Sequence, residues 1–85
     1  SKRELPSDIE GYGVDKDTIN LIDFLVNFKI ISSKNEVRRL LNQNAISIID
    51  KDSTLDVKEP TLNIPPHGLV LKIGKKKFIK IYSNK

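Results

Sequence analysis

The sequence predicts an α+β fold in which two packed helices lie against a small mixed or antiparallel sheet that ends in a β-hairpin. Two observations predict the helices, because apolar residues recur at helical spacing over residues 18–28 and again over residues 33–44. A third predicts the hairpin, since the alternating stretches 69–73 and 77–82 flank the polar run Gly74-Lys75-Lys76. Eighty-five residues without a cysteine are enough for one small domain and exclude a disulfide framework.

The amino-terminal segment 1–17 is predicted to be a linker, because Pro6, Gly11 and Gly13 interrupt any regular pattern. One extended piece is expected within it, near Leu5–Glu10. The folded domain is therefore expected to span residues 18–85. Because the chain contains no methionine, we also expect it to be part of a longer protein.

The first helix is expected to begin at a cap, Asp17 or Thr18, and to run to about Phe28. It carries two apolar faces, separated only by a narrow polar stripe. One face contains Ile19, Ile22, Leu25 and Val26, and the other contains Leu21, Phe24 and Phe28. Such a helix should be buried on two sides, between the second helix and the sheet.

The second helix has a start signal and a stop signal in the sequence. Ser33 is predicted to be its N-cap, because a serine hydroxyl can accept a hydrogen bond from the first turn, and Glu36 completes a capping box. Asn44 follows the last periodic residue, where left-handed backbone geometry ends many helices. The buried stripe is predicted from residues that fall within about 60° of one another on a helical wheel. They are Val37, Leu40 and Leu41.

Cations lie on the solvent side of this second helix. Lys34 and Arg38 flank the buried stripe, and Arg39 projects about 100° away from Arg38. The free N–H groups at the helix start, with Ser33 and Lys34, can also bind a phosphate. Taken by itself, however, the pattern is more often a solvated amphipathic helix with two surface arginines.

Two further strands are predicted besides those of the hairpin. Ile46, Ile48 and Ile49 form one, and Thr61–Ile64 forms a short edge strand within a proline-rich loop. The segment between them, residues 50–58, is expected to be a turn-rich acidic stretch.

The hairpin strands alternate between the two faces of a sheet. The face predicted to be core contains Leu69, Leu71, Ile73, Ile79 and Ile81. The other face carries Phe78, Lys80 and Tyr82, with Lys72 nearby. Aromatic rings interleaved with lysines can stack on bases while the lysines bind phosphates. The simpler interpretation is that Phe78 and Tyr82 only cover hydrophobic surface.

Positive charge is concentrated at the carboxyl end of the chain. The net charge is +4, but the last 14 residues contain six lysines and no acidic residue, so the other 71 residues carry −2. A basic region on a neutral or acidic body is typical of a protein that binds a phosphate backbone. A basic module that binds a protein or a membrane surface has a similar charge distribution and is the alternative.

No catalytic or metal site is predicted. His67 is the only histidine, and there is no cysteine or second histidine with which it could hold a transition metal. Asp50, Asp52 and Asp56 lack the glycine and the bidentate glutamate of a calcium loop. No nucleophile has an identifiable base and no glycine-rich phosphate cradle is present, so neither catalysis nor a cofactor is expected of this domain.

The sequence also argues against a membrane. No apolar run approaches the roughly 20 residues that span a bilayer, and the amino terminus shows no signal-peptide pattern. We therefore expect no membrane partner and a cytoplasmic location.

The segment Ile19–Asp50 resembles the RNA-binding domain typified by ribosomal small-subunit protein S-four. It shares a helix, a loop, a Ser-Lys-x-Glu-x-Arg-Arg-Leu-Leu helix and an Ile-x-Ile strand. The whole chain is similar to the C-terminal domain of bacterial tyrosyl-tRNA synthetases. Glu4-Leu5-Pro6 resembles the linker of that family, residues 20–26 resemble its first helix, and residues 68–78 resemble its closing hairpin. Two dipeptides differ from the family: Asn44-Ala45 replaces Gly-Gly, and Ile49-Asp50 replaces Asn-Gly.

This resemblance implies an S-four-like fold and a non-catalytic RNA-binding domain, residues 18–85, that grips the variable arm and anticodon stem of tyrosine tRNA. It implies a homodimeric parent, an ATP-dependent tyrosine–tRNA ligase, whose catalytic domain is a partner of this one. By matching position, the RNA contacts are Lys34, Arg38 and Arg39, with Gln43 close by, and Lys75, Lys76 and Lys77. The residue patterns add Ser33, Lys72 and Lys80. The alternative is an RNA-binding module of an RNA-modifying enzyme or a ribosome-associated factor.

Overall fold

The computed structural model describes residues 9–50 and 53–84 and confirms the predicted α+β class. The helices are α1 (Leu21–Asn27) and α2 (Lys34–Asn42). The strands are β1 (Glu10–Val14), β2 (Thr18–Asn20), β3 (Ile46–Asp50), β4 (Ser53–Asp56), β5 (Thr61–Asn63), β6 (Leu69–Ile73) and β7 (Lys77–Ser83).

Five strands form one mixed sheet in the order β1-β7-β6-β3-β4. β1 runs parallel to β7, whereas the other neighbouring strands are antiparallel. β2 and β5 form a separate two-stranded antiparallel sheet. The predicted hairpin, β6 with β7, is confirmed, and it lies inside the sheet because β1 pairs with its outer edge.

One face of the main sheet and the two helices share a single hydrophobic core. The register places Leu71 opposite Ile79 and Leu69 opposite Ile81, and all four side chains are buried. The alternation predicted for the hairpin is therefore confirmed, since side chains two residues apart share a face. The helices contribute Leu21, Ile22, Phe24, Leu25, Val37 and Leu41 to this core.

The start of α1 differs from the prediction. Its N-cap is Asn20, whose side-chain oxygen accepts a hydrogen bond from Asp23 N at 3.0 Å. The predicted caps Asp17 and Thr18 are wrong, because Thr18 begins β2, which pairs with β5. This pairing is non-local, and a backbone bond from Leu21 N to Pro60 O at 2.7 Å continues it into the helix. The prediction that both apolar faces of the helix are buried is confirmed for Leu21, Ile22, Phe24 and Leu25. It is wrong for Phe28, which is 44% exposed, and Ile19 lies in β2, before the helix begins.

A strand occupies part of the segment that the sequence assigns to a linker. β1 pairs with β7 in register from Glu10 opposite Ile79 to Val14 opposite Ser83. Gly11 and Gly13 give no strand signal, because glycine weakens a strand. The strand forms by pairing with β7, which lies far away in sequence. The expected extended piece near Leu5–Glu10 lies largely outside the described residues, and the domain boundary at residue 17 stays a prediction.

The acidic segment 50–58 also contains a strand. β4 pairs with β3, with Leu55 opposite Ile48, and all four of its side chains are exposed. The turns predicted for this segment are therefore partly wrong. The sequence does not indicate β4, because a short, polar edge strand lacks the apolar alternation of a half-buried strand. The edge strand predicted at Thr61–Ile64 is confirmed as β5, although it pairs outside the main sheet.

An aromatic cluster joins α1 to β1. The ring of Tyr12 meets those of Phe24 and Phe28 edge-on, with centroids 5.8 and 5.4 Å away, a favoured aromatic geometry. The Tyr12 hydroxyl donates a hydrogen bond to a Glu10 carboxylate oxygen at 2.8 Å. That bond, with desolvation and the negative charge of Glu10, raises the pKa of Tyr12 above its ordinary value.

Candidate nucleic-acid interface

The N-terminus of α2 has the predicted N-cap, but the Glu36 carboxylate is paired with Arg39 instead of closing the predicted capping box on Ser33 N. The Ser33 hydroxyl accepts a hydrogen bond from Glu36 N at 3.2 Å, which confirms the N-cap. The Glu36 carboxylate accepts a bond from Arg39 Nη2 at 2.6 Å. Val37 and Leu41 are buried, and Leu40 is half-buried. The helix therefore turns its apolar stripe to the core and its cations to solvent.

The three cations of α2 differ in their electrostatic surroundings. Lys34 Nζ lies 3.5 Å from Asp23 Oδ1, and Arg39 pairs with Glu36. Arg38 Nη1 instead donates to the neutral amide oxygen of Asn35 at 3.2 Å. Exposed ion pairs are weak, so a phosphate can replace the carboxylate, and all three cations can still bind phosphate. Arg38 is the one whose charge is not offset by an acidic side chain among the described residues.

A backbone hydrogen bond joins the end of α2 to the hairpin turn. Asn44 has a φ of 57°, which confirms the left-handed geometry predicted after the helix. The chain then reverses so that Ala45 O accepts a bond from Gly74 N at 2.7 Å. Ile46 lies opposite Ile73 in the adjoining ladder. The carboxyl end of α2 and the β6–β7 turn are thereby held side by side.

The hairpin turn presents three lysines at this junction. Lys75, Lys76 and Lys77 are exposed and follow Gly74, whose φ of 68° closes the turn. None of them forms an ion pair with an acidic residue in the described part of the chain. Gln43, the C-cap residue of α2, lies one residue before Asn44 and is exposed. We call Arg38, Arg39, Gln43 and Lys75–Lys77 the basic junction.

The remaining predicted residues lie on either side of the basic junction. Ser33 and Lys34 are at the opposite end of α2, about 14 Å along the helix axis from Gln43 at roughly 1.5 Å per residue. Lys72 and Lys80 lie on the face of the main sheet that points away from the core, because their strand neighbours Leu71 and Ile79 are buried. Of the ten predicted residues, six thus lie on α2, at its C-cap or in the adjoining hairpin turn, and four lie at the start of α2 or on the outward face of the sheet.

A cleft of about 460 Å³ that the sequence does not predict lies beside the junction. It lies between the end of α2, the hairpin turn and the outward side of β3 and β4. Its lining includes Asn44, Ser47, Ile49, Thr54, Lys72 and Phe78. The only sequence signal for it is the alternation of β3, which places Ser47 and Ile49 opposite the core. The cleft depends on the pairing of β3 with β4, its neighbour in sequence, and with the distant strand β6.

Other kinds of site find little support in the described residues. No group of three His, Asp or Glu side chains gathers within residues 9–50 and 53–84 in a way that could hold a metal ion. His67 is exposed in the loop before β6. No helix in the same part of the chain is long and apolar enough to cross a membrane.

Comparison with known proteins identifies similar chains. A family model described as the tyrosine–tRNA ligase SYY-like C-terminal domain matches residues 2–81. The tyrosine–tRNA ligase of Aquifex aeolicus is 33% identical over 84 residues, which cover 98% of this chain and 20% of that protein. The ligase of Fusobacterium nucleatum is 52% identical over 61 residues, which cover 72% of this chain and 14% of that one.

A third relative is similar over most of this chain. The tyrosine–tRNA ligase of Thermotoga maritima is 33% identical over 81 residues, covering 94% of this chain and 19% of that protein. The chain therefore spans about a fifth or less of the length of these curated relatives.

Proposed function

Because the chain belongs to the tyrosine–tRNA ligase SYY-like C-terminal domain family, we propose that it is a non-catalytic domain that binds tRNA, with tyrosine tRNA as its ligand. The observation that carries the proposal is the basic junction. The 2.7 Å bond from Gly74 N to Ala45 O holds the lysine-rich turn against the end of the arginine-bearing helix. Two cationic elements that are far apart in sequence therefore act as one surface.

The mode of binding follows from the chemistry of this surface. Arginine and lysine side chains bind phosphate oxygens, and A-form RNA hides its major-groove base edges from side chains. The domain is therefore expected to recognise an RNA arm mainly by its shape and backbone. The arms proposed for contact are the long variable arm and the anticodon stem, with Lys34 and Ser33 extending the contact along α2.

The wider setting of the domain is also a proposal. We propose that the parent is an ATP-dependent tyrosine–tRNA ligase, a cytoplasmic homodimer, whose catalytic domain is the covalent partner of this chain. The three relatives are tyrosine–tRNA ligases, which favours this parent over an RNA-modifying enzyme or a ribosome-associated factor. In this arrangement the domain supplies binding energy for the tRNA, and the chemistry takes place elsewhere in the parent.

A mobility-shift titration tests the proposal. The 85-residue chain is titrated with tyrosine tRNA and with the same tRNA lacking its variable arm, and we expect weaker binding to the shortened form. Replacing Lys75, Lys76 and Lys77 by glutamine should weaken binding to the complete tRNA.

Lys16→Gln provides the matched control. Lys16 is exposed and follows β1, whose last residue, Val14, lies opposite Ser83. It is therefore about 20 Å from the hairpin turn, given roughly 3.3 Å per strand residue along β7. If Lys16→Gln weakened binding as much as a replacement in the turn, the attraction would be non-specific and the assigned surface would be wrong.

A further inference from the structure

The main sheet has a second face that no helix covers in the described structure. Its centre consists of side chains that alternate with the buried residues of β3, β6 and β7. We call these residues the outer face: Ile49, Val70, Lys72, Phe78, Lys80 and Tyr82. They combine apolar and aromatic groups with two lysines, and none of the six is fully buried.

The side chain of Tyr82 packs against two glycines of β1 on this face. A Cβ added at Gly11 would lie 2.9 Å from Cε1 of the Tyr82 ring, and one added at Gly13 would lie 3.2 Å from Cε2. The two edges of the ring thus lie close to two glycines of β1, and a larger residue at Gly11 would collide with the ring. The ring therefore packs against the backbone of β1, and the residue is still 41% exposed.

The two lysines of the outer face are placed beside aromatic groups. Lys72 Nζ lies 5.8 Å from the centroid of Phe78, within range of a cation–π contact. Lys80 lies between Phe78 and Tyr82 along β7, and its aliphatic stem passes Gly68, where an added Cβ would be 3.3 Å from Cε. A stem held against the protein surface leaves the ammonium group at the edge of the aromatic row.

The outer face also has a favourable charge distribution. From Lys72 to Asn84 the chain contains five lysines and no acidic residue. At the cleft end of this face, Asp56 accepts a hydrogen bond from Ser47 Oγ at 3.1 Å. A flat, open ring bordered by lysines matches a base with its flanking phosphates, whereas an apolar peptide would leave those lysines without partners.

We propose that the outer face binds unpaired nucleotides of the RNA, with one base stacked on the outward face of Tyr82 and adjacent phosphates held by Lys80 and Lys72. Paired bases expose only their edges, so a base must be unstacked to lie on a side-chain ring. This inference rests on the proposed RNA binding and adds a second kind of contact to it. The basic junction holds a backbone, and the outer face holds a free base.

The test compares two RNA probes with two substitutions. One probe is a short single-stranded RNA, and the other is a blunt RNA duplex of equal length. Loss of one base–aromatic stack corresponds to roughly a 5- to 150-fold loss of affinity. We therefore expect Tyr82→Leu to weaken single-strand binding by at least about 5-fold and to leave duplex binding unchanged. Tyr82→Phe keeps the ring and should bind both probes as the unaltered chain does.

A spectroscopic measurement on the unaltered chain avoids any effect of substitution on folding. Stacking on a base moves the ring-proton resonances of Tyr82 upfield in an NMR titration with the single strand, while those of Tyr12, which packs on Phe24, should stay in place. Thermal melts of Tyr82→Leu show whether its fold is intact.

The outcomes separate this inference from the function on which it rests. If the chain binds the duplex but Tyr82→Leu and the ring protons of Tyr82 show no effect with the single strand, the outer face does not hold bases and the inference is overturned. If neither probe binds, the proposed RNA binding itself fails. If the single strand binds and the Tyr82 resonances shift, but an acidic peptide displaces it at equal concentration, the face is a protein-docking surface and the inference is again wrong.

Discussion

Arg38 and Arg39 are sequence neighbours whose surroundings give them different expected roles. Arg39 pairs with Glu36 at 2.6 Å, whereas within residues 9–50 and 53–84 Arg38 contacts the amide oxygen of Asn35 and no carboxylate. Among these residues, a phosphate must compete with a carboxylate for Arg39 but not for Arg38. The sequence indicates both arginines as RNA contacts without ranking them, and from their surroundings we expect Arg38 to contribute more than Arg39.

The first residue-scale prediction concerns that order. Arg38→Ala should weaken binding to tyrosine tRNA by roughly tenfold, or about 1.4 kcal/mol, and Arg39→Ala should weaken it less. Arg38→Lys, which keeps the charge, should recover much of the loss. Mobility-shift titrations of the three variants measure this, and a larger effect of Arg39→Ala would contradict the ordering.

The second prediction concerns stability and uses the opposite side of the same helix. Leu41 is buried, so Leu41→Ala should lower the free energy of unfolding by roughly 2–5 kcal/mol. Leu40 is half-buried, and Leu40→Ala should cost less. Arg38→Ala should stay within about 0.5 kcal/mol. Urea unfolding of the three variants measures these changes, and unfolding of the Arg38→Ala chain would show that the faces of α2 were assigned wrongly.

At the scale of elements, the end of α2 decides where the hairpin can lie. The left-handed residue Asn44 reverses the chain so that the carbonyl of Ala45 reaches Gly74. Asparagine is one of the few residues other than glycine that adopt this conformation at low cost. It therefore does here what the first glycine of the usual Gly-Gly pair would do.

The third prediction follows from this backbone geometry. Asn44→Ala should destabilise the fold by roughly 1–2 kcal/mol, because alanine is strained at a positive φ, whereas Asn44→Gly should be close to neutral. Chemical unfolding of both variants provides the measurement. Equal losses from alanine and glycine would mean that the side chain of Asn44, rather than its φ of 57°, is what the junction needs.

At the scale of the whole molecule, charge is separated by the fold as well as along the chain. Five of the six lysines in the last 14 residues lie in the hairpin, and the hairpin lies beside the end of the arginine-bearing helix. Release of counterions from about 4–6 phosphates should then give a salt dependence of several log–log units.

The lysines of the hairpin turn should contribute to the salt dependence of tRNA binding. Replacing Lys75, Lys76 and Lys77 by glutamine should reduce the log–log salt slope by about one unit for each phosphate that the variant no longer neutralises. Footprints of this variant and of Arg38→Ala on tyrosine tRNA should show weaker protection in adjacent stretches. A flat salt response of the unaltered chain, or weaker protection in distant regions of the tRNA, would refute a single binding surface.

Several features could be predicted from the sequence because their physical cause is local. A hydroxyl at Ser33 with a free N–H three residues later makes an N-cap, and alternation of apolar residues in the hairpin places five of them in the core. Asn44 ends α2 in the predicted conformation. The concentration of lysines at one end of the chain can be read directly from the residues.

Other features were decided only by the tertiary structure, because their partners lie far apart in sequence. β1 becomes a strand by pairing with β7, and β2 displaces the predicted start of α1 by pairing with β5. The ring of Tyr82 packs against β1 because two glycines that are distant in sequence make room for it. By itself, then, the sequence determined the elements with local periodicity and the supply of positive charge. Long-range backbone pairing decided which basic residues lie side by side and which aromatic ring stays exposed. The sequence does not reveal these features, because hydrogen bonds between distant strands leave no local pattern.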